Sequence, residues 1–430
     1  MRSLLKSPAL LVVISFVLLA AETSWIEQYV QEATAANKTC TAKDFTACRG
    51  HLLRVYQLVD GRADIVYRLA SVEASLGNQQ AALDWLSTYS KSGLTFADPV
   101  SDSEFTSLQS APEFEAILAR LKSARQPVSQ SKPFLTLLEK DLIAEDIAYD
   151  PVGGRFFVSS VRHRKILSVT KRGKVTDFLP EGQPNIWAIL ALCVDSKRKV
   201  LWASTAAMPE AIGFSKQEEG RSALLKYSLE SGALLKRYDL KADAKHALGD
   251  MTVSSSGDVY ASDGFGAVYW VEHTRDTIEP LFEQGAFRSP QTPALSPDEK
   301  RLFVPDYSRG ISIVDLATKQ WKLLEHPKEL SLGGIDGLYL KDRTMLAIQN
   351  GTKPARVIRM SLDDSLTRVT QWATIEANWP RLGDPTHGVV VGNQFYFIAN
   401  SGWDRMNDDG SVKPGATFEA PQIRVMKISP

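Results

Sequence analysis

Two patterns of apolar positions divide this chain. From residue 23 to about residue 125 the apolar residues recur at helical spacing. In DIVYRLASVEASLGNQQAALDWLSTYSKSGL, Tyr67, Ala70, Gly77, Ala81, Trp85 and Leu86 fall on the facing sides of two antiparallel helices, with Gly77-Asn78 as the turn. The next stretch continues that pattern through Phe105, Leu108, Pro112 and Phe114. Beyond residue 134 the pattern changes to short apolar stretches, each followed by a turn and a β-rich segment. One such phrase returns six times at spacings of 40–60 residues: EDIAYDPVGGRFFVSS from Glu145, ALCVDSKRKVLWAST from Ala191, GDMTVSSSGDVYASD from Gly249, TPALSPDEKRLFVPD from Thr292, IDGLYLKDRTMLAIQN from Ile335 and THGVVVGNQFYFIAN from Thr386. Units of this length predict a six-bladed β-propeller, one four-stranded blade per unit. The start of each unit then faces one central axis, so residues far apart in sequence converge there.

The predicted architecture is mainly β: a six-bladed β-propeller over 134–430, preceded by a small α-helical domain over 22–125. Residues 126–133, most of them in the polar, proline-bearing SARQPVSQSK of 123–132, read as the linker. Strand-like segments at Phe134 and Gln422 are placed to share one blade, closing the ring without an exposed sheet edge.

Composition narrows the function classes. Fifty basic and fifty acidic side chains cancel, leaving no net field to draw the protein to nucleic acid or anionic lipid. Residues 1–21 place Arg2 and Lys6 before an apolar run ending in Ala20 and Ala21. That pattern reads as an export signal to the periplasm or outside the cell, with an uncleaved membrane anchor as the competing reading; after cleavage no membrane association is expected. Cys40 and Cys48 are spaced to bridge a helical corner, which suits an oxidising compartment. Cys193 reads as a buried strand residue. No Gly-x-Ser-x-Gly elbow occurs, and the glycines of SDGFGAVYW sit at a blade turn rather than before a helix. A closed propeller is expected to be a monomer.

The helical segment resembles a tetratricopeptide hairpin. One hairpin cannot bury its own face, so it must pack on neighbours. That leaves a partner-docking groove and a purely structural cap as alternatives.

The opening phrase AEDIAYDPVGGRFFVSS resembles the first blade of the regucalcin/gluconolactonase family of six-bladed propellers, and the likeness extends over most of 134–430. The family holds one divalent cation, commonly calcium or zinc, in the channel and uses it to hydrolyse sugar lactones or related esters. The resemblance implies that Glu145 is a metal ligand, as is Asp336 in Ile335-Asp336-Gly337, where the family has Pro-Asp-Gly. Gln291 is the nearest equivalent of the fourth-blade Asn, and Gly249-Asp250 stands where the family has Asn-Asp. Read on their own chemistry, Glu145, Asp336 and Gln291 form an oxygen-only donor set suited to calcium first, with zinc or magnesium behind it. Asp336 and Asp250 are then the candidate catalytic groups that move protons.

His246, four residues before Asp250, reads as a substrate contact or a structural residue. His387, near Asp384 at the start of the last blade, either lines the channel or bonds a turn. Trp187 and Trp403 read as an aromatic wall for substrate or as packing between blades. Two functions stay open: an exported, metal-dependent hydrolase of small lactones or esters, and a non-catalytic binding propeller whose helical domain docks a protein partner.

Overall fold

The computed structural model describes residues 24–428, so the expected export signal lies outside the described residues. Five helices come first: α1 Trp25–Thr41, α2 Phe45–Leu58, α3 Ala63–Ser75, α4 Gln79–Lys91 and α5 Pro112–Ala124. Their starts follow local chemistry. The Ser24 hydroxyl accepts from the Glu27 amide at 3.2 Å while the Glu27 carboxylate accepts from the Ser24 amide at 3.0 Å, a reciprocal cap on α1. Asp44 caps α2, and Pro112 opens α5 where a missing N–H costs nothing. Gly77, at φ 77°, makes the α3–α4 turn. The apolar stripes meet in a core that includes Ala70, Leu86, Tyr89, Phe105 and Phe114. A disulfide joins Cys40 to Cys48 across the α1–α2 corner.

Six antiparallel sheets follow in a ring. The innermost strands of blades 1 to 6 are Ala144–Asp150, Ala188–Asp195, Leu248–Val253, Ala294–Leu295, Ile335–Lys341 and Gly388–Val391. The ring closes in blade 6, where the outermost strand Lys132–Thr136 pairs with Gln422–Lys427 near the C-terminus. The segment read as a linker also contributes Val128–Ser129, which adds an edge strand to blade 5 opposite Ala377 and Glu376. The fully buried Glu376 carboxylate pins that segment by accepting the amides of Gln130 and Ser131 at 2.7 and 2.6 Å.

The helical region is docked firmly on the propeller. Trp25 donates its indole N–H to the Ala286 carbonyl at 3.1 Å, and Arg309 lies 4.5 Å over the Trp25 ring. The Thr95 amide donates to the Lys353 carbonyl at 2.7 Å. Gly333 lets the Arg62 side chain lie against the propeller backbone, since a Cβ there would sit 2.8 Å from Arg62 Cγ.

One contact in this interface is a titratable ion pair. His326 Nε2 lies 3.0 Å from an Asp60 carboxylate oxygen in the α2–α3 turn, and its Nδ1 lies 2.9 Å from the Pro327 carbonyl. Burial opposes its charge, but the bond and attraction to Asp60 outweigh that and hold its pKa above the usual value. Asp60 also faces Arg309 and Tyr56. A base with a raised folded pKa gives its stabilisation in full below about pH 6.5 and loses it as pH rises through the folded value. We therefore expect urea midpoints of wild type and His326→Gln to differ at pH 6 and to converge by pH 9. An unchanging difference would show that the contact contributes through packing alone.

Candidate active site

The start of the inner strand is irregular in the same way in four of the six blades. The register slips between Ala144 and Ile147 in blade 1, Ile189 and Leu192 in blade 2, Leu248 and Asp250 in blade 3, and Ile335 and Gly337 in blade 5. A bulge re-aims side chains that a regular strand would send to opposite faces. It leaves amides without ladder partners, and a hydroxyl on the adjacent strand takes them up. Ser159 accepts from the Asp146 amide at 2.8 Å and Ser204 from the Ala191 amide at 2.9 Å. In blade 3 the same position, Ser262, donates to the Gln291 carbonyl at 2.7 Å and ties blade 3 to blade 4. The recurring Ser of VSS, AST and ASD is therefore an architectural tie.

The bulges bring Glu145, Asp146, Asp250 and Asp336 around His387. His387 is 2 % exposed and is the only histidine of the cluster. Its Nδ1 lies 3.0 Å from the Glu145 main-chain carbonyl, which fixes that nitrogen as the donor. Its Nε2 lies 2.7 Å from Asp250 Oδ1 and 4.0 Å from Asp336 Oδ1. The Asp250 contact is an ion pair off hydrogen-bond alignment, so the buried Nε2 has no hydrogen-bond partner.

Each carboxylate is positioned by a neighbour. Trp403, in the long connection after the second strand of blade 6, donates its indole N–H to Glu145 Oε2 at 2.5 Å. Asn350 donates to Asp336 Oδ2 at 2.6 Å, and its own carbonyl accepts from the Tyr307 hydroxyl at 3.0 Å. Asp146 takes the Ile147 and Leu192 amides at 2.7 and 2.6 Å, linking the bulges of blades 1 and 2.

Charge is concentrated here. Burial, with the nearby Asp336 and Asp250, raises the Glu145 pKa well above the usual range, against the pull of His387. Burial raises Asp146 to about 7 and Asp336 to about 6, again against His387. Asp384, above the cluster, is raised to about 7 by burial and by Asp336. For His387, burial opposes the charge, but Asp250 and Asp336 outweigh it and raise the pKa well above the usual value. The protons of this set belong to the group as a whole. Below it an axial cavity of about 550 Å³ runs along the inner strands, from Asp146 and Asp250 at one end to Ser196 and Glu299 at the other.

The structure thus brings together Glu145, Asp336, Asp250 and His387 from the residues singled out in the sequence. Gln291 stands apart: its amide N–H groups turn back to Ser289, and no hydrogen bond joins it to the carboxylates. His246 is tied within blade 3, its Nδ1 2.7 Å from Asp263, and its bonds do not include Asp250. Trp187 packs on blade 2 beneath Arg221 and Arg237, while Trp403 reaches the cluster alone. Cys193 is half-buried on the cavity wall, and burial pushes its thiol up to about 12. Asp146, Asn350 and Tyr307 were not foreseen. Only Asp146 carried a signal, the adjacent acids of AEDIAYD at a strand start.

The chain matches no known protein-family profile and no curated protein sequence. Among solved structures it is similar to a luciferin-regenerating enzyme, at 13 % identity over 69 % of this chain and 96 % of that one, with a TM-score of 0.49. It is similar to a gluconolactonase from Xanthomonas campestris, at 12 % identity over 70 % and 99 %, TM-score 0.47. A virginiamycin B lyase from Staphylococcus aureus is similar at 13 % identity over 68 % and 97 %, TM-score 0.45.

Proposed function

We propose that the protein is a divalent-metal-dependent hydrolase of lactones or esters that works at the axial cluster. One observation carries the reading: Glu145, Asp336 and His387 each offer a ligand atom, all within 4.8 Å of one another. The donor chemistry fits a cation. His387 keeps its Nδ1 on the Glu145 carbonyl and offers a buried Nε2, while Trp403 and Asn350 orient the two carboxylates, as supporting partners of metal ligands do. An imidazole beside two carboxylates suits zinc or manganese better than calcium, which takes oxygen ligands. A cation bound there would polarise a substrate carbonyl and acidify water. Asp250, beside His387, is placed to take a proton from attacking water. Burial excludes bulk water and strengthens each of these interactions.

A binding propeller without turnover is the second reading, favoured by the 2.7 Å His387–Asp250 pair, which gives the cluster an internal counter-charge. Elemental analysis by mass spectrometry on dialysed wild type and Asp336→Asn, after supply of zinc, manganese or calcium, separates the two. The hydrolase reading expects about one equivalent of metal in wild type, its loss in the variant, and metal-dependent turnover in a lactone and ester panel. No uptake and no turnover would leave the binding reading in its place.

A further inference from the structure

We propose that the cavity between the helical region and the propeller is a binding site for a small aromatic anion, a carboxylate or a phosphate ester. The cavity, about 710 Å³, lies within the size range of small-molecule sites. Its charged lining is three cations, Arg62, Arg288 and Lys353, against one carboxylate, Asp64, in a chain whose overall charge is zero. Arg62 and Asp64 satisfy each other through two bonds of 2.9 and 2.5 Å, and Arg62 also donates to the Ser308 carbonyl. That pair is a wall.

Arg288 and Lys353 remain. Neither makes an ion pair with a carboxylate among the described residues, and the main chain that carries each is anchored. The Arg288 amide donates to Asp306 at 2.7 Å, and its guanidinium lies 4.8 Å over the Tyr29 ring. The Lys353 carbonyl accepts the Thr95 amide from the helical side. Two uncompensated cations at one cavity attract an anion, and a planar guanidinium offers a paired-donor edge to carboxylate or phosphate. Phe96, 37 % exposed, and Tyr29 add aromatic surface for a flat, apolar body. Helical region and propeller must both be present to form the site. It borders the axial cluster, because Tyr307 lines it and bonds Asn350, which holds Asp336. The inference stands whether or not that cluster turns over a substrate.

The test is calorimetric titration of the metal-free full chain with phenylacetate, phenyl phosphate and the neutral 2-phenylethanol. At least one anion should bind about tenfold more tightly than the alcohol, and the tighter anion identifies the group recognised. The double variant Arg288→Gln/Lys353→Gln should lose about tenfold in that affinity, and Phe96→Ala should weaken it while keeping the preference for charge. Both cations are exposed, so the double variant should keep the wild-type urea midpoint, which is measured alongside, whereas Phe96→Ala also gives up ring contacts with Tyr67 and Tyr89 and is read at a temperature where it stays folded. No anion binding up to about 10 mM, equal binding of the alcohol, or unchanged affinity in the double variant would each overturn the assignment.

Discussion

Metal-free protein carrying His387→Ala is expected to lose about 3–5 kcal/mol of stability near neutral pH, read as a lower urea midpoint, because the substitution strands a group of buried carboxylates. His387 is the one cation among Glu145, Asp146, Asp250 and Asp336, and Asp250 touches it at 2.7 Å. The loss should depend on pH. Near pH 4 Glu145, Asp146 and Asp336 carry protons in the folded variant and about half of such groups do so in the unfolded chain, so the deficit is mostly the cavity and the lost bond to the Glu145 carbonyl. As pH rises towards about 6.5, the unfolded acids ionise while the folded ones, without the imidazolium, keep their protons. Folded carboxyl pKa values raised in this way lower stability as pH rises, and more so in the variant. Above about 6.5 the wild type in turn holds a proton on His387 that its unfolded chain releases, and the gap levels off. Urea titrations at pH 4.5, 5.5, 6.5 and 8 check the curve. A constant deficit would mean that His387 acts by packing and not by charge.

The same cluster shows what sequence could and could not disclose. Bulged acids at the start of an inner strand are local features, so Glu145 and Asp336 could be read from their phrases, and the ring follows from the repeat. Partner choice across the ring is not local. His387 pairs with Asp250 because the sixth and third blades face each other across the axis, and no spacing in the chain encodes that contact. His246 is nearer to Asp250 in sequence, yet Asp263 on the adjacent strand captures its Nδ1. Gln291 donates its side-chain amide to Ser289 and makes no hydrogen bond to the carboxylates. Trp403 comes from an irregular connection whose path is set by packing of Met406 and Phe418 over blades 1 and 2. The helical pattern was similarly legible in its turn at Gly77, whereas its docking depends on single long-range contacts.

Arg356 is the fully buried one of those contacts, and Arg356→Ala should release the helical region from the propeller. The side chain is fully buried in blade 5. It donates Nε–H to Gln349 at 2.7 Å and Nη1–H to the Ser92 carbonyl at the end of α4 at 2.6 Å, with Trp372 5.7 Å beneath the guanidinium. No carboxylate among the described residues compensates it, and burial draws its pKa down to about 9. A buried cation without a counter-ion is costly to desolvate, so its two charge-assisted bonds must offset that cost in the folded state. Truncation to Ala strands both acceptors and opens a cavity between the two parts. The expected loss is about 2–4 kcal/mol, concentrated at the junction. Limited proteolysis should therefore cut near residues 125–131 about tenfold faster or more, while the axial cluster keeps its structure. Arg356→Met, which fills the volume without a charge, separates the two contributions. If Met restores wild-type resistance, packing rather than the bond to Ser92 holds the junction. If neither variant is cut faster, the docking rests on the Trp25–Arg309 and Asp60–His326 contacts, and those become the sites to change.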